Sequence, residues 1–333
     1  MNRVEKICLV GCGAIGGVHA RRLSGLVDLF FHSRSRSSAE KFNHAFGGGG
    51  VFDRLDQVLA SSEITAVVLA SPPEFHKEQI VQSLEAGKAV LVEKPMCVSQ
   101  DEVDEVEDAL RRNPDGFLMV AENYYYKPSL AKIKALLQDD VIGDIESVAV
   151  KKLFTQAASG WKSRYGALLE GGIHFVALLS DLFACAPQSV CARFPHCQKG
   201  EAERHSMVTL SYLDGSRATL EYSWRTRSLT KGILQHSHIL GKKGRITFEN
   251  NGIYVFLNAK GKSGLFFPGF KDLMGYRGMI RDFLRCLADR SRRPYSDFSR
   301  AKRDLQIVFE AYKNLNIGCL LLVGGWAICN LCL

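Results

Sequence analysis

Six residues near the start constrain this chain more than any other feature. Gly11-Cys12-Gly13-Ala14-Ile15-Gly16 follow directly on the apolar run Ile7–Val10 and open a helix-like stretch beginning near Ala14. A strand, a glycine turn and a helix in that order make the first half of a βαβ unit. Gly11 suits the tight turn, Gly13 lets backbone come close to a ligand, and Gly16 lets the helix sit down on the sheet. The N–H groups at the helix start, around Ala14 and Ile15, then face outward with no partner, which is an anion site of the kind that holds a pyrophosphate. An ordinary tight βα turn is the plainer alternative.

The end of the second apolar run, Leu29–His32, refines this expectation. Folds that bind NAD place an Asp or Glu about 20 residues on, to accept from a ribose hydroxyl. This chain has Phe31-His32-Ser33-Arg34-Ser35-Arg36 there. A carboxylate repels a 2′-phosphate, whereas Ser33 donates to one and Arg34 pairs with it; Arg36 either joins them or faces water. NADP(H) is the expected cofactor and NAD(H) the alternative.

Beyond that turn the first 122 residues alternate short apolar runs (Ala66–Ala70, Ala89–Val92, Phe117–Ala121) with helical patterns such as Glu74 to Ala86, closed by Gly87. After Pro95, Ser99 and Glu102 form a capping box, and Asp101, Asp104 and Glu105 crowd the positive helix end, so that acidic run needs no functional explanation. The pattern predicts an α/β fold with a doubly wound parallel sheet over 1–122. From 123 to 318 the texture is different. Runs at Ser147–Phe154, Met207–Leu213, Ala218–Trp224, Ile233–Leu240, Arg245–Phe248 and Ile253–Leu257 are separated by turn signals at Leu213-Asp214-Gly215-Ser216, Gly241-Lys242-Lys243-Gly244 and Asn250-Asn251-Gly252. A second, α+β domain with a mostly antiparallel sheet is expected, ending in helices over Tyr276–Asp289 and Arg300–Leu315 that either stay with it or tie back to the first domain.

Five segments, in order, resemble the Gfo/Idh/MocA oxidoreductases (glucose–fructose oxidoreductase, inositol dehydrogenase and relatives). They are the glycine loop with His19, Ser71-Pro72-Pro73 with His76, Gly87 leading through Val90 to Glu93-Lys94-Pro95, Glu170-Gly171-Gly172-Ile173-His174, and Tyr276 with Asp282-Phe283. The resemblance implies a Rossmann domain followed by an open antiparallel sheet, a nicotinamide cofactor, a sugar-, polyol- or cyclitol-like substrate, and a homodimer or homotetramer packed through the second sheet. It implies cofactor contacts from Ser71, Pro72, His76, Glu93, Lys94 and Pro95, with a cis bond between the last two, and it assigns the hydroxyl proton jointly to Lys94 and His174. Glu170 stands where relatives commonly carry Asp.

The chemistry asks for such residues independently. Exchanging a hydride with a carbinol carbon requires a partner for the hydroxyl proton. Lys94 follows a parallel strand at the edge where open α/β sheets take ligands, and imidazole titrates near neutrality. For His174 the plainer reading is a satisfied core histidine. On an α-helix, Glu170 and His174 share a face, so the carboxylate either meets substrate or orients the imidazole. Tyr126 and Lys127, leading into Pro128, and Trp161, Lys162 and Arg164 are further candidates for substrate contact, with interdomain packing and a solvated loop as the plainer readings. No metal is implied. A redox-neutral, cofactor-dependent glycosidase of the same fold and a dinucleotide-sensing protein without turnover are the rival functions.

Lys and Arg number 43 against 35 acids in 333 residues, a net +8 spread along the chain rather than gathered in a stripe, so a small anion is favoured over nucleic acid. The start lacks a secretory pattern, and cytoplasmic location with ten reduced cysteines is expected. Cys329 and Cys332 lack the further ligands zinc requires. The uncharged tail 319–333 falls short of a bilayer span, so a buried terminus or an added extension is expected over a membrane anchor.

Overall fold

A computed structural model describes residues 5–318 apart from 184, 199 and 231, with side chains up to residue 313. The C-terminal extension and the Cys329/Cys332 pair lie outside the described residues. The chain forms two compact units, neither continuous in sequence. One runs up to Lys127 and takes in Met274–Lys302; the other comprises Pro128–Leu273 and the chain from Arg303 onward.

The first unit alternates β1 (Lys6–Val10), α1 (Ala14–Leu23), β2 (Asp28–His32), α2 (Arg36–Phe46), β3 (Gly50–Phe52), α3 (Leu55–Ala60), β4 (Ala66–Leu69), α4 (His76–Glu85), β5 (Ala89–Val92), α5 (Gln100–Arg112) and β6 (Leu118–Val120). All six strands are parallel, in the order β3-β2-β1-β4-β5-β6. The order reverses beside β1, so the carboxyl ends of β1 and β4 diverge there and leave a crevice. β4 and β5 are buried along their whole length, which is why they read as continuous apolar runs. Ile7, Leu9, Phe31, Val68 and Leu91 form one core cluster with Leu23 and Ala39 and with Met279, Ile280 and Phe283 from the returning segment. At the start of α5, Ser99 Oγ accepts from the Glu102 N–H at 3.3 Å, while the Glu102 carboxylate accepts from the Val98 N–H at 2.8 Å.

The second unit opens with α6 (Pro128–Gln138) and β7 (Ile145–Leu153), then α7 (Ile173–Leu182), β8 (Ser189–Arg193), β9 (His205–Ser211), β10 (Arg217–Ser223), β11 (His236–Gly241), β12 (Gly244–Glu249), β13 (Val255–Ala259) and β14 (Lys262–Phe266). Its eight-stranded sheet runs β14-β13-β12-β11-β7-β10-β9-β8, antiparallel except for the β7–β10 pair. Val148, Val150, Val208, Leu220, Ile239, Ile246 and Leu257 are buried on the inner face, which α6 meets at β13 and α7 at β10. The opposite face carries one row across all eight strands: Leu265, Phe256, Thr247, His238, Ala149, Thr219, Thr209 and Cys191. Every member is exposed or half-buried, and none is a permanently charged residue. Two further helices follow, α8 (Tyr276–Ala288) in the first unit and α9 (Phe298–Gly318).

Candidate active site

The glycine turn is built as its spacing requires. Gly11 has φ +105°, and a Cβ on it would sit 2.6 Å from the Ala70 backbone; one on Gly16 would sit 2.1 Å from the Gly11 carbonyl oxygen. Both are therefore fixed by the chain's own packing. Gly13 is different: a Cβ there would meet nothing within 4 Å. Gly13 is also the N-cap of α1, with no side-chain cap and no acid in the first turn, so the N–H groups beside Ala14 and Ile15 open onto unfilled space. That cradle fits a dinucleotide pyrophosphate.

The ends of the neighbouring strands supply the rest of this rim. Gly11 donates to the His32 carbonyl at 2.9 Å, drawing the glycine turn against the end of β2. Ser33 hydrogen-bonds the Cys12 thiol, whose pKa is pushed up to about 11, mainly by burial. The two arginines then part company. Arg36 is engaged by Glu40 at 2.8 Å and by Asp53, so it is committed to the protein surface. Arg34 is exposed and makes no ion pair with the described residues. Of the two arginines, Arg34 is thus the one whose charge is not taken up by an ion pair among the described residues.

Two buried histidines hold the loops after β4 and β5. His76 is wholly buried, with Nδ1 2.8 Å from the Pro95 carbonyl and Nε2 2.8 Å from the Ser71 carbonyl. Burial pulls its pKa down although both neighbours are acceptors. With its two nitrogens facing these carbonyls, His76 ties the loop after β4 to the loop after β5. Ser71 Oγ is itself turned to Gln79 Oε1 at 2.6 Å. His19, on the buried side of α1, meets Glu93 Oε1 through Nε2 at 2.7 Å, and Glu93 Oε2 accepts the Lys94 N–H at 3.1 Å. One carboxylate thereby ties the helix of the glycine cradle to the Lys94 backbone, and Glu93 serves as an anchor. The Lys94–Pro95 peptide is cis. In sequence His19 was visible only as part of the resemblance, because a helical histidine gives no sign of a partner 74 residues away.

Tyr126 is placed otherwise than the sequence suggested. Its hydroxyl donates to Asp282 Oδ2 at 2.7 Å and accepts from the Ser296 N–H at 3.0 Å, so it is taken up inside the first unit and is not turned to substrate. Lys127 is 1% exposed, its ammonium 4.1 Å from the centre of the Tyr124 ring.

In the second unit, Trp161, Lys162, Glu170 and His174 belong to one short stretch. Lys162 Nζ bonds Glu170 Oε1 at 2.7 Å and lies 5.6 Å from the Trp161 ring centre, and Arg164 is exposed. Glu170 is buried and His174 half-buried. The expected plain α-helix is interrupted here: Leu168–Gly172 form a wide π-turn leading into α7. Such turns concentrate at functional sites. The two glycines permit it. A Cβ on Gly171 would lie 2.1 Å from the Tyr222 hydroxyl, which is held in place by the Trp224 indole N–H at 3.1 Å. The turn is wider than an α-turn, and Lys162 is a charged partner of the Glu170 carboxylate.

A parallel sheet with a phosphate cradle at its reversal point, joined in one chain to a large open sheet, defines the class of two-domain nicotinamide oxidoreductases. The comparisons narrow it. Residues 6–121 match the NAD-binding Rossmann domain of the GFO/IDH/MocA oxidoreductase family, and residues 130–247 match the GFO/IDH/MocA C-terminal domain. This chain belongs to that family. It is 30% identical over 193 residues to the glucose-6-phosphate 3-dehydrogenase of Bacillus subtilis, 54% of each chain's length, and 28% identical over 252 residues to the inositol 2-dehydrogenase of Rhizobium meliloti, 73% of this chain and 74% of that one. The fold is that of a levoglucosan dehydrogenase solved with NADH and levoglucosan (TM-score 0.82, 19% identity, 94% of this chain and 98% of that one). A 3-ketoreductase from Actinomadura kijaniata solved with NADP has it too (TM-score 0.78, 21% identity, the same coverage).

Proposed function

We propose that this protein is an NADP(H)-dependent oxidoreductase acting on a secondary alcohol, or the matching ketone, of a sugar-, polyol- or cyclitol-like substrate. The observation that carries it is the His19–Glu93 hydrogen bond, which joins the helix of the glycine cradle to the backbone of Lys94. A bound nicotinamide would supply the hydride acceptor or donor. Gly11, Gly13 and Gly16 give its pyrophosphate a bare helix end. Ser33 and Arg34 favour a 2′-phosphate where NAD-selective folds keep an acid, which supports NADP(H) over NAD(H). Lys94 Nζ and the His174 imidazole are the groups we assign to the hydroxyl proton, one holding it as the carbonyl forms and returning it in the reverse direction. Glu170 and Lys162 together offer both an acceptor and a donor to substrate hydroxyls. The named activities of the sugar and inositol dehydrogenases among its relatives support the substrate class.

The test follows NADPH consumption on keto sugars and inososes, and NADP+ reduction with glucose 6-phosphate and myo-inositol. Lys94→Ala and His174→Ala are expected to lose about a hundredfold or more in kcat. Wild-type turnover in both variants would remove the mechanism. We further propose a cytoplasmic location, supported by the free thiols of Cys8, Cys12, Cys97 and Cys286, and a homodimer or homotetramer formed through the uncharged outer row of the eight-stranded sheet.

A further inference from the structure

Two adjacent residues in the loop just before β9 bond to both stretches that carry the candidate substrate residues of the second unit. The Glu203 carbonyl accepts from the Ala167 N–H at 2.9 Å, and its Oε1 accepts from the Leu168 N–H at 2.7 Å and from the Tyr312 hydroxyl at 2.7 Å. The Tyr312 oxygen in turn accepts from the Leu169 N–H at 3.1 Å. The opening N–H groups of the wide turn holding Glu170 are thus satisfied by one buried carboxyl group and its tyrosine. Arg204 reaches the other way. Its Nη1 donates to the Tyr165 carbonyl at 2.8 Å and the Lys162 carbonyl at 3.3 Å, and its Nη2 to the Ser163 carbonyl at 2.8 Å. Its guanidinium lies 5.5 Å from the Trp224 ring centre. Gly166 sits between the two holds, where a Cβ would come within 2.3 Å of Glu203 Oε1 and of the Tyr312 oxygen. Only a planar fork serves three carbonyls in this way, and a lysine ammonium does not replace it.

We infer that Glu203 and Arg204 are positioning residues that fix Trp161 and Lys162 relative to Glu170, and so set substrate affinity without touching substrate. The inference rests on reading that stretch as the substrate site. It is tested on the full chain in two ways. In hydrogen–deuterium exchange without substrate, Arg204→Met and Glu203→Leu are expected to exchange tenfold or more faster across residues 160–172, while Glu203→Gln, which keeps the acceptor oxygen, exchanges like wild type. In turnover with glucose 6-phosphate or myo-inositol, Arg204→Met is expected to raise KM at least tenfold with kcat within threefold and NADP(H) affinity unchanged. A merely structural defect would lower the active fraction, and hence kcat, leaving KM alone. Unaltered exchange in both disruptive variants overturns the inference, as does an unaltered KM. Faster exchange in a chain whose wild type turns over none of these substrates would uphold the clamp and reject the substrate reading instead.

Discussion

Arg34 and Arg36 look interchangeable in the sequence, two residues apart at the end of one strand, yet only one has its charge free. Arg34→Ala is expected to weaken NADP(H) binding by tenfold or more, since a charge-assisted hydrogen bond contributes about 1.5–3 kcal/mol, and to leave NAD(H) binding nearly unchanged. Arg36→Ala, which breaks contacts to Glu40 and Asp53, should alter neither. Fluorescence titration with both nucleotides decides it, and equal effects from the two variants would contradict the assignment. Glu203 gives a prediction of another kind. Burial pushes its pKa up to about 7 from an ordinary 4.5, and its Oε2 has no hydrogen-bond partner among the described residues. The folded chain therefore holds this proton more tightly than the unfolded chain. The associated stability is complete below about pH 4.5, declines as pH rises toward 7 and is lost above it. Glu203→Gln resembles the neutral acid, so it should match wild type at pH 4.5 and exceed it by about 3 kcal/mol at pH 8 in urea denaturation. Parallel stability curves for the two proteins would count against a buried, raised carboxyl. Neither Glu203 nor Arg204 was legible beforehand, because their partners lie about 40 residues upstream and a loop reading Glu201-Ala202-Glu203-Arg204 resembles any solvated turn.

The strands that the sequence revealed and those it concealed differ in position. Every strand with a neighbour on both sides showed as an apolar or alternating run. The ones it concealed, β3, β8 and β14, are all sheet edges. An edge strand is half-wrapped and carries exposed polar residues, as Lys262 and Ser263 do in β14, so its pattern fades. The glycine loop was legible because its requirements are local, and its three glycines separate by experiment. Gly16→Ala forces a Cβ to 2.1 Å from the Gly11 oxygen and is expected to destabilise the protein by about 1–3 kcal/mol. Gly13→Ala has room, so thermal unfolding without ligand should be unchanged while NADP(H) affinity falls at least tenfold. An alanine at 13 that left affinity intact would mean that nothing approaches the helix end there. The π-turn was not legible: Glu170 and His174 have α-helical spacing, and Tyr222, which leaves no room for a Cβ on Gly171 inside the turn, lies on a strand about 50 residues away.

At the level of the molecule, the row from Leu265 to Cys191 leads to a prediction about assembly. Light scattering is expected to show a dimer or tetramer, and Phe256→Lys with Leu265→Lys, at sites 39% and 54% exposed, should yield monomers with unchanged circular dichroism. A wild-type monomer would contradict it. The sequence marked α8 as a helix that could tie back to the first domain, without saying which of its residues would do so. Met279, Ile280 and Phe283 belong to the core of the first unit, where they join Ile7 and Leu9. This has a consequence for how the protein is made. A ribosome that has delivered the first 127 residues has not yet delivered the helix that floors their core, and at roughly 5–20 residues per second the nascent half waits about ten seconds or more for it. Its exposed parallel strands must stay unaggregated through that interval, so synthesis is the stage at which this chain most needs a chaperone.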